Sequence, residues 1–152
     1  MKHPRTVILA VSSSGGHWIQ LLRLRPAFKG YQTAFASTNM GNSHEVQGHD
    51  FYRIINANRK LPWNFFVMFV QLLRILVNVR PTIVITTGAA PGLMALALGK
   101  LFSTKDIWLD SVANVTKLST SGKLAQRFTD LYLTQWEDLQ NPEGPLFIGS
   151  VL

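Results

Sequence analysis

Apolar residues come along this chain in two kinds of run. Short unbroken runs, such as Thr82-Ile83-Val84-Ile85-Thr86, suit strands covered on both faces, as in parallel sheets. They predict strands at Thr6–Ser12, Thr33–Ser37, Phe51–Ile55, Thr82–Thr87, Asp106–Asp110 and Leu131–Gln135, and Pro145–Leu152 reads as a last strand. The longer stretches between them, near His17–Phe28, Trp63–Val79, Pro91–Phe102 and Ser121–Phe128, predict helices. This alternation of strand and helix predicts an α/β fold: one doubly wound, mostly parallel, Rossmann-like sheet occupying residues 1–152 as a single domain. Residues 38–50 form the one long polar connection, a candidate lid.

The pattern inside Trp63–Val79 is unusual. Its polar residues Asn64, Gln71, Arg74 and Asn78 fall on one stripe roughly 80° wide at 100° per residue. The rest, including Trp63, Phe65, Phe66, Met68 and Phe69, is apolar, more than the ~100° arc a helix needs to pack on a sheet. The segment is too short and too polar to span a bilayer, which takes about 20 apolar residues. Arg59 and Lys60 precede it, Arg80 follows it, and Trp63 stands at its start. Basic flanks with Trp63, Phe66 and Phe69 predict a helix dipping into an anionic membrane surface. Burial between the sheet and a protein partner would also account for the surplus.

Composition narrows the classes further. Hydrophobic residues make up 47% of the 152 and charged residues 15%, which argues against disorder. The chain has no cysteine, so disulfides, thiolate metal sites and thiol catalysis are excluded together, in keeping with a reducing cytoplasm. Met1–Arg5 is basic like the start of a signal peptide, but the apolar run Val7–Val11 behind it is too short and reads as the first strand. The +7 net charge is uneven: residues 1–105 hold twelve Lys or Arg against only Glu45 and Asp50. That imbalance suits an anionic partner, although a chance skew would look the same. The basic residues are not interleaved with aromatics in an RNA-reading pattern, so nucleic acid is not expected.

Two turns carry candidate chemistry. Ser12-Ser13-Ser14-Gly15-Gly16-His17 follows the first strand and opens a helix. Gly15 and Gly16 let a ligand approach the backbone, and a helix N-terminus offers free N–H groups to a phosphate. The motif is neither G-x-G-x-x-G nor a P-loop, so no dinucleotide or ATP cofactor is expected. A tight turn capped by serine is the plainer reading. The second turn, Thr87-Gly88-Ala89-Ala90-Pro91-Gly92, follows the fourth strand, with Pro91 suited to a first helical position. Asp110 and Ser111 fall at another strand end on the same rim, where open α/β sheets bind ligands. Asp110 could orient a sugar hydroxyl or His17, or simply cap the next turn. His3, His17, His44 and His49 are scattered, and no metal site is expected.

Together, Val11–His17, Thr86-Thr87-Gly88-Ala89, Asp110-Ser111-Val112-Ala113, Leu118–Lys123 and Gln135-Trp136 resemble the family of asparagine-linked glycosylation protein fourteen, whose bacterial relatives are accessory subunits of exopolysaccharide glycosyltransferases. The resemblance runs along nearly the whole chain. It implies the N-terminal half of a GT-B enzyme, like that of the peptidoglycan N-acetylglucosaminyltransferase. It also implies a subunit that holds a lipid-diphosphate-linked sugar acceptor while a separate donor-binding glycosyltransferase subunit takes the nucleotide sugar. On this reading the chain is inactive alone and cytoplasmic, peripheral on the inner face of the membrane. Ser13, Ser14, Gly15, Gly16, Thr87, Gly88 and Ala89 would hold the acceptor's phosphates, with His17 and Asp110 as catalytic residues. Asp110 stands where relatives usually carry Glu. His17, a histidine beside the phosphate-binding turn, could serve as the general base but could equally bind phosphate. Trp136 and the Leu146–Leu152 tail are the expected partner contacts. The competing readings are a non-catalytic membrane scaffold that recruits an active transferase, and a stand-alone phosphate- or nucleotide-binding module.

Overall fold

The computed structural model describes residues 5–151. Met1–Pro4, including His3, and Leu152 at the end of the expected last strand lie outside the described residues. The strands are β1 (Val7–Ser12), β2 (Gln32–Ser37), β3 (Asp50–Arg53), β4 (Ile83–Thr86), β5 (Lys105–Leu109), β6 (Leu131–Thr134) and β7 (Leu146–Phe147). They form one sheet in the order β3-β2-β1-β4-β5-β6-β7, and every pairing is parallel. The chain builds outward from β1 to β3, then returns across the sheet to lay β4 on the other side of β1. The β1/β4 boundary is therefore the point where winding reverses, and it opens a crevice at the strands' carboxyl ends.

Alternation along each strand separates two cores. On one face Ile8, Ala10, Phe35 and Ile85 pack against Trp18 and Leu21 of α1 (Gly16–Arg23) and against Phe28 and Val46. On the other, Leu9, Val11, Ala34, Ala36, Val84 and Trp108 meet α2 (Trp63–Val79), α3 (Ala89–Gly99) and the short α4 (Thr120–Ala125). Because each helix runs back against parallel strands, the N-termini of α1, α2 and α3 all lie at the carboxyl rim of the sheet.

Several boundaries differ from the sequence reading for local reasons. The helix expected over His17–Phe28 stops at Arg23, and Arg25–Phe28 continues as a 3₁₀ turn, because Pro26 disfavours the α conformation before it. Helix α3 begins at Ala89, two residues before Pro91. The expected last strand shrinks to Leu146–Phe147. The polar stretch 38–50 is pinned rather than lid-like. Met40–Val46 winds into a 3₁₀ helix capped by Asn39, whose side chain accepts from the Gly41 N–H at 3.0 Å. Asn42 is buried and donates to Ser37 Oγ at 2.8 Å, and Val46 is wholly buried.

Helix α2 has two apolar faces with different fates. Met68, Leu72, Ile75 and Leu76 are buried against the sheet, while Trp63, Phe66 and Phe69 remain 71%, 55% and 39% exposed. The polar stripe is split. Asn64 donates to the Asn56 carbonyl at 3.0 Å and Gln71 Oε1 accepts from the Ile55 N–H at 2.7 Å, tying the helix to the strand-exit segment, while Arg74 and Asn78 face water. Truncating Leu72 to Ala should therefore lower the unfolding free energy by about 2–5 kcal/mol. Phe66→Ala should change it by less than about 1 kcal/mol. Urea denaturation of both variants checks this; equal losses would mean that Phe66 is buried in solution.

Candidate functional site at the strand-order reversal

The two turns singled out in the sequence meet at the β1/β4 boundary. His17, in the first turn of α1, places its ring Nδ1 2.9 Å from the Thr87 carbonyl oxygen, and Thr87 Oγ1 donates to the His17 carbonyl at 2.6 Å. A carbonyl can only accept, so Nδ1 carries the proton and the neutral ring keeps its lone pair on Nε2. Gly88 makes this contact sterically feasible. A Cβ built there would lie 2.7 Å from His17 ring atoms, and the residue's φ of 133° lies where side chains are rarely tolerated. Ala89 follows at φ 64°, a left-handed conformation that costs a non-glycine residue about 1–2 kcal/mol. The Gly88 N–H is held by Thr86 Oγ1 at 3.1 Å. Beneath α3, Gly92 faces Thr86 Oγ1 with no room for a side chain.

On the other side of the crevice Gly15, at φ 74°, turns the chain from β1 into α1. Ser14 donates its backbone N–H to Thr38 Oγ1 at 3.0 Å, holding the turn against the end of β2. Neither Ser13 nor Ser14 caps α1, whose N-cap is Gly15 with no side-chain cap hydrogen bond, so the serine-cap reading does not apply. Ser14, Gly15 and Gly16 are exposed, and Ser13 and His17 are partly so. The N–H groups of the first turn of α1 therefore face open space beside His17.

Asp110 occupies a different place from the one its rim position suggested. It is 1% exposed, and its two oxygens accept from Trp108 Nε1 (3.0 Å), Asn114 Nδ2 (3.0 Å), the Ser119 N–H (3.2 Å) and Ser119 Oγ (2.7 Å). Four donors fill a carboxylate. None belongs to His17, and the effect is to anchor the connection from β5 to α4. Gly122 sits over this cluster, where a Cβ would collide with Asp110, Ser119 and the Tyr132 hydroxyl. Burial, then the negative charge of Asp110, push the Tyr132 hydroxyl's pKa up, so it stays neutral.

The sequence reading missed Gln20, and it marked Gln135 only as part of the Gln135-Trp136 motif, without a role. Gln20 Nε2 donates to the Gly16 carbonyl (3.3 Å) and Ser111 Oγ (3.2 Å), while its Oε1 accepts from the Val112 N–H (3.0 Å) and Gln135 Nε2 (2.6 Å). Gln135 also donates to the Asp110 carbonyl at 3.0 Å, so α1, β5 and β6 are bound together behind the crevice. Only the placement of Gln20 three residues after His17, on the same side of α1, hinted at this. Trp136 is half-buried, its indole donating to the Val112 carbonyl at 2.8 Å.

The residues read as membrane-contacting cluster at the same rim. Arg59 and Lys60 are exposed in the turn before α2, and the Trp63 and Phe66 rings pack with centroids 5.1 Å apart. Among the described residues no helix is long and apolar enough to cross a membrane, and no three His, Asp or Glu side chains gather as a metal site would need.

The sequence matches the family described as "Oligosaccharide biosynthesis protein Alg14 like" over residues 56–149, more than half of its length. The chain belongs to this family. A relative from Yarrowia lipolytica, named UDP-N-acetylglucosamine transferase subunit ALG14, is 22% identical over 167 aligned positions, covering 91% of this chain and 77% of the relative. The family's oligosaccharide chemistry agrees with the GT-B shape. The fold matches MurG from Acinetobacter baumannii with a TM-score of 0.75 at 13% identity, over 98% of this chain and 46% of that one. It also matches the UDP-N-acetylglucosamine 2-epimerase from Neisseria meningitidis bound to UDP-GlcNAc, with a TM-score of 0.73 at 12% identity, over 96% of this chain and 47% of that one. The chain thus spans a little under half of these two-domain-sized structures.

If Gly88 exists to admit the His17 ring, Gly88→Ala should displace the ring and cost about 1–3 kcal/mol. The imidazole resonances of His17 and thermal unfolding report the two effects. Unshifted resonances would show that the ring does not lie over Gly88. Asp110→Ala should cost a similar ~1–3 kcal/mol by stranding buried donors; an unaffected melting temperature would contradict the anchoring role.

Proposed function

We propose that this chain is the acceptor-binding subunit of a two-part glycosyltransferase in oligosaccharide or polysaccharide assembly, with the crevice at His17 as its site. The observation that carries this reading is the joining of two small-residue turns around a histidine of fixed tautomer, on a sheet shaped like half of a GT-B enzyme. The free N–H groups at the start of α1, with Ser13, Ser14, Gly15 and Gly16, suit an acceptor diphosphate, as does the Thr87–Ala89 turn opposite. His17 is the base. Nδ1–H is held by Thr87, so Nε2 takes the proton of the acceptor hydroxyl as its oxygen attacks the anomeric carbon. The bond to the nucleotide diphosphate breaks, and the leaving group departs on the donor side. Asp110 supports the site as a positioning residue, keeping the loop that follows β5 in register.

The donor side is supplied by a partner subunit that binds the nucleotide sugar. The word "subunit" in the name of the Yarrowia relative supports this. Trp136 and the exposed Leu146 and Ile148 are the candidate contacts, in an interface of the ~600–1,500 Å2 usual between such halves. The exposed Trp63, Phe66 and Phe69, flanked by Arg59 and Lys60, would rest on an anionic membrane at the same rim, where a lipid-linked acceptor arrives.

Sugar transfer from UDP-N-acetylglucosamine to a lipid-diphosphate-linked acceptor should require the chain and its partner together; robust turnover by the chain alone would falsify the two-part reading. Flotation with anionic vesicles should be salt-sensitive and weakened by Phe66→Asp or Phe69→Asp without unfolding. Failure to float at low salt, with and without partner, would remove the membrane contact.

A further inference from the structure

The end of the sheet opposite His17 holds a cavity that the transferase reading does not use. Helix α1 runs away from the rim, and the chain turns at its far end through Arg25–Phe28 before entering β2. A cavity of about 550 Å3 opens there, within the ~300–1,000 Å3 typical of small-molecule sites. Its buried lining includes Phe28 and Phe35, and Arg25, Lys29, Tyr31 and His49 are among its exposed members.

These side chains are partly pre-set. Arg25 Nη1 donates to the Glu45 carbonyl at 2.8 Å, which holds one nitrogen of the guanidinium and leaves others for a ligand. The Glu45 carboxylate points elsewhere and accepts from Trp18 Nε1 at 3.3 Å. The His49 ring stands edge-on to Phe35, centroids 5.5 Å apart. Tyr31 is 50% exposed and lines both this cavity and an adjoining groove that contains Arg5 and Asp50. Both ion pairs among the described residues belong to Lys100, so neither Arg25 nor Lys29 is ion-paired with a carboxylate among them. Asp50 lies in the adjoining groove, which leaves the Arg25–Lys29 end as the place for an anion.

We propose that this cavity binds a phosphorylated ring compound of the nucleoside monophosphate class, its phosphate on Arg25 and Lys29 and its flat ring against Tyr31 and His49. Two cations match a phosphate monoester, which carries close to two negative charges near neutral pH. An exposed aromatic beside them provides a stacking surface that a simple anion would not use. The site lies at the opposite end of the sheet from the rim crevice and does not depend on what binds there.

Calorimetric titration of the full chain with adenosine 5′-monophosphate, adenosine and inorganic phosphate tests the proposal. The monophosphate should bind one to one and more tightly than either fragment. Arg25→Gln/Lys29→Gln should weaken it at least about tenfold, as expected for losing charge-assisted hydrogen bonds. His17→Ala, and the charge-matched control Arg74→Gln/Arg127→Gln, should leave it within about twofold. The Lys29 backbone N–H donates to the Pro26 carbonyl at 3.4 Å, but its side chain makes no hydrogen bond among the described residues, so Lys29→Gln alone should weaken binding while leaving the melting temperature unchanged. Equal weakening by the control would mean attraction to net charge, loss in His17→Ala would mean binding at the rim, and monophosphate affinity no better than phosphate would mean no ring recognition. Each of these results overturns the proposal.

Discussion

The site depends on one close approach, that of the His17 ring to the backbone of Gly88. The two turns involved belong to strands that are neighbours in space but 70 residues apart in sequence. They can be locked together only where the sheet reverses its winding, because there the following helices diverge to opposite faces and leave a gap. Within that gap the reciprocal bonds between His17 and Thr87 set the ring orientation and tautomer. The missing Cβ at Gly88 and the left-handed Ala89 are local costs accepted to reach that geometry. The buried Gln20–Gln135 pair then ties α1, which carries His17, to the ends of β5 and β6, so the ring is referenced to the whole sheet rather than to one flexible turn.

The same topology gives the molecule two chemically different ends. Parallel strands with returning helices collect the N-termini of α1, α2 and α3, along with the exposed aromatics of α2, at the carboxyl rim. Six-residue strands at about 3.3 Å per residue put the opposite end roughly 20 Å away. The proposed membrane contact at the rim and the cavity at Arg25 and Lys29 are therefore compatible in one small domain, since the first would turn toward lipid and leave the second facing water. Of the basic excess of residues 1–105, Arg59 and Lys60 fall at the rim and Arg25 and Lys29 at the far end.

Much of this was legible in the residues. The apolar runs located the six longer strands, and small residues followed by helix-like stretches marked both turns at the reversal. The failures have physical causes. Pro26 ended α1 earlier than its apolar pattern suggested, and polar residues 38–50 concealed a pinned 3₁₀ helix because Asn42 and Val46 face inward while their neighbours do not. Asp110, at a strand end, suited either a catalytic role or a cap for the next turn, and its bonds to Ser119 fit the second. Its burial beneath Trp108, Asn114 and Ser119 depends on a loop whose path no local pattern encodes. The bond between Gln20 and Gln135 was hidden for the same reason, since it joins residues 115 positions apart and neither segment alone shows its partner.

The account stands or falls on Nε2 of His17 as the proton acceptor in sugar transfer. Steady-state kinetics of the complex reconstituted with its donor-binding partner, comparing His17→Ala with the parent chain at varied acceptor concentration, measures this directly. The predicted result is a fall in kcat of roughly 10²–10⁴ with a comparatively small change in acceptor KM. A raised KM with kcat preserved would make His17 a phosphate ligand, and unchanged values of both would contradict the site altogether.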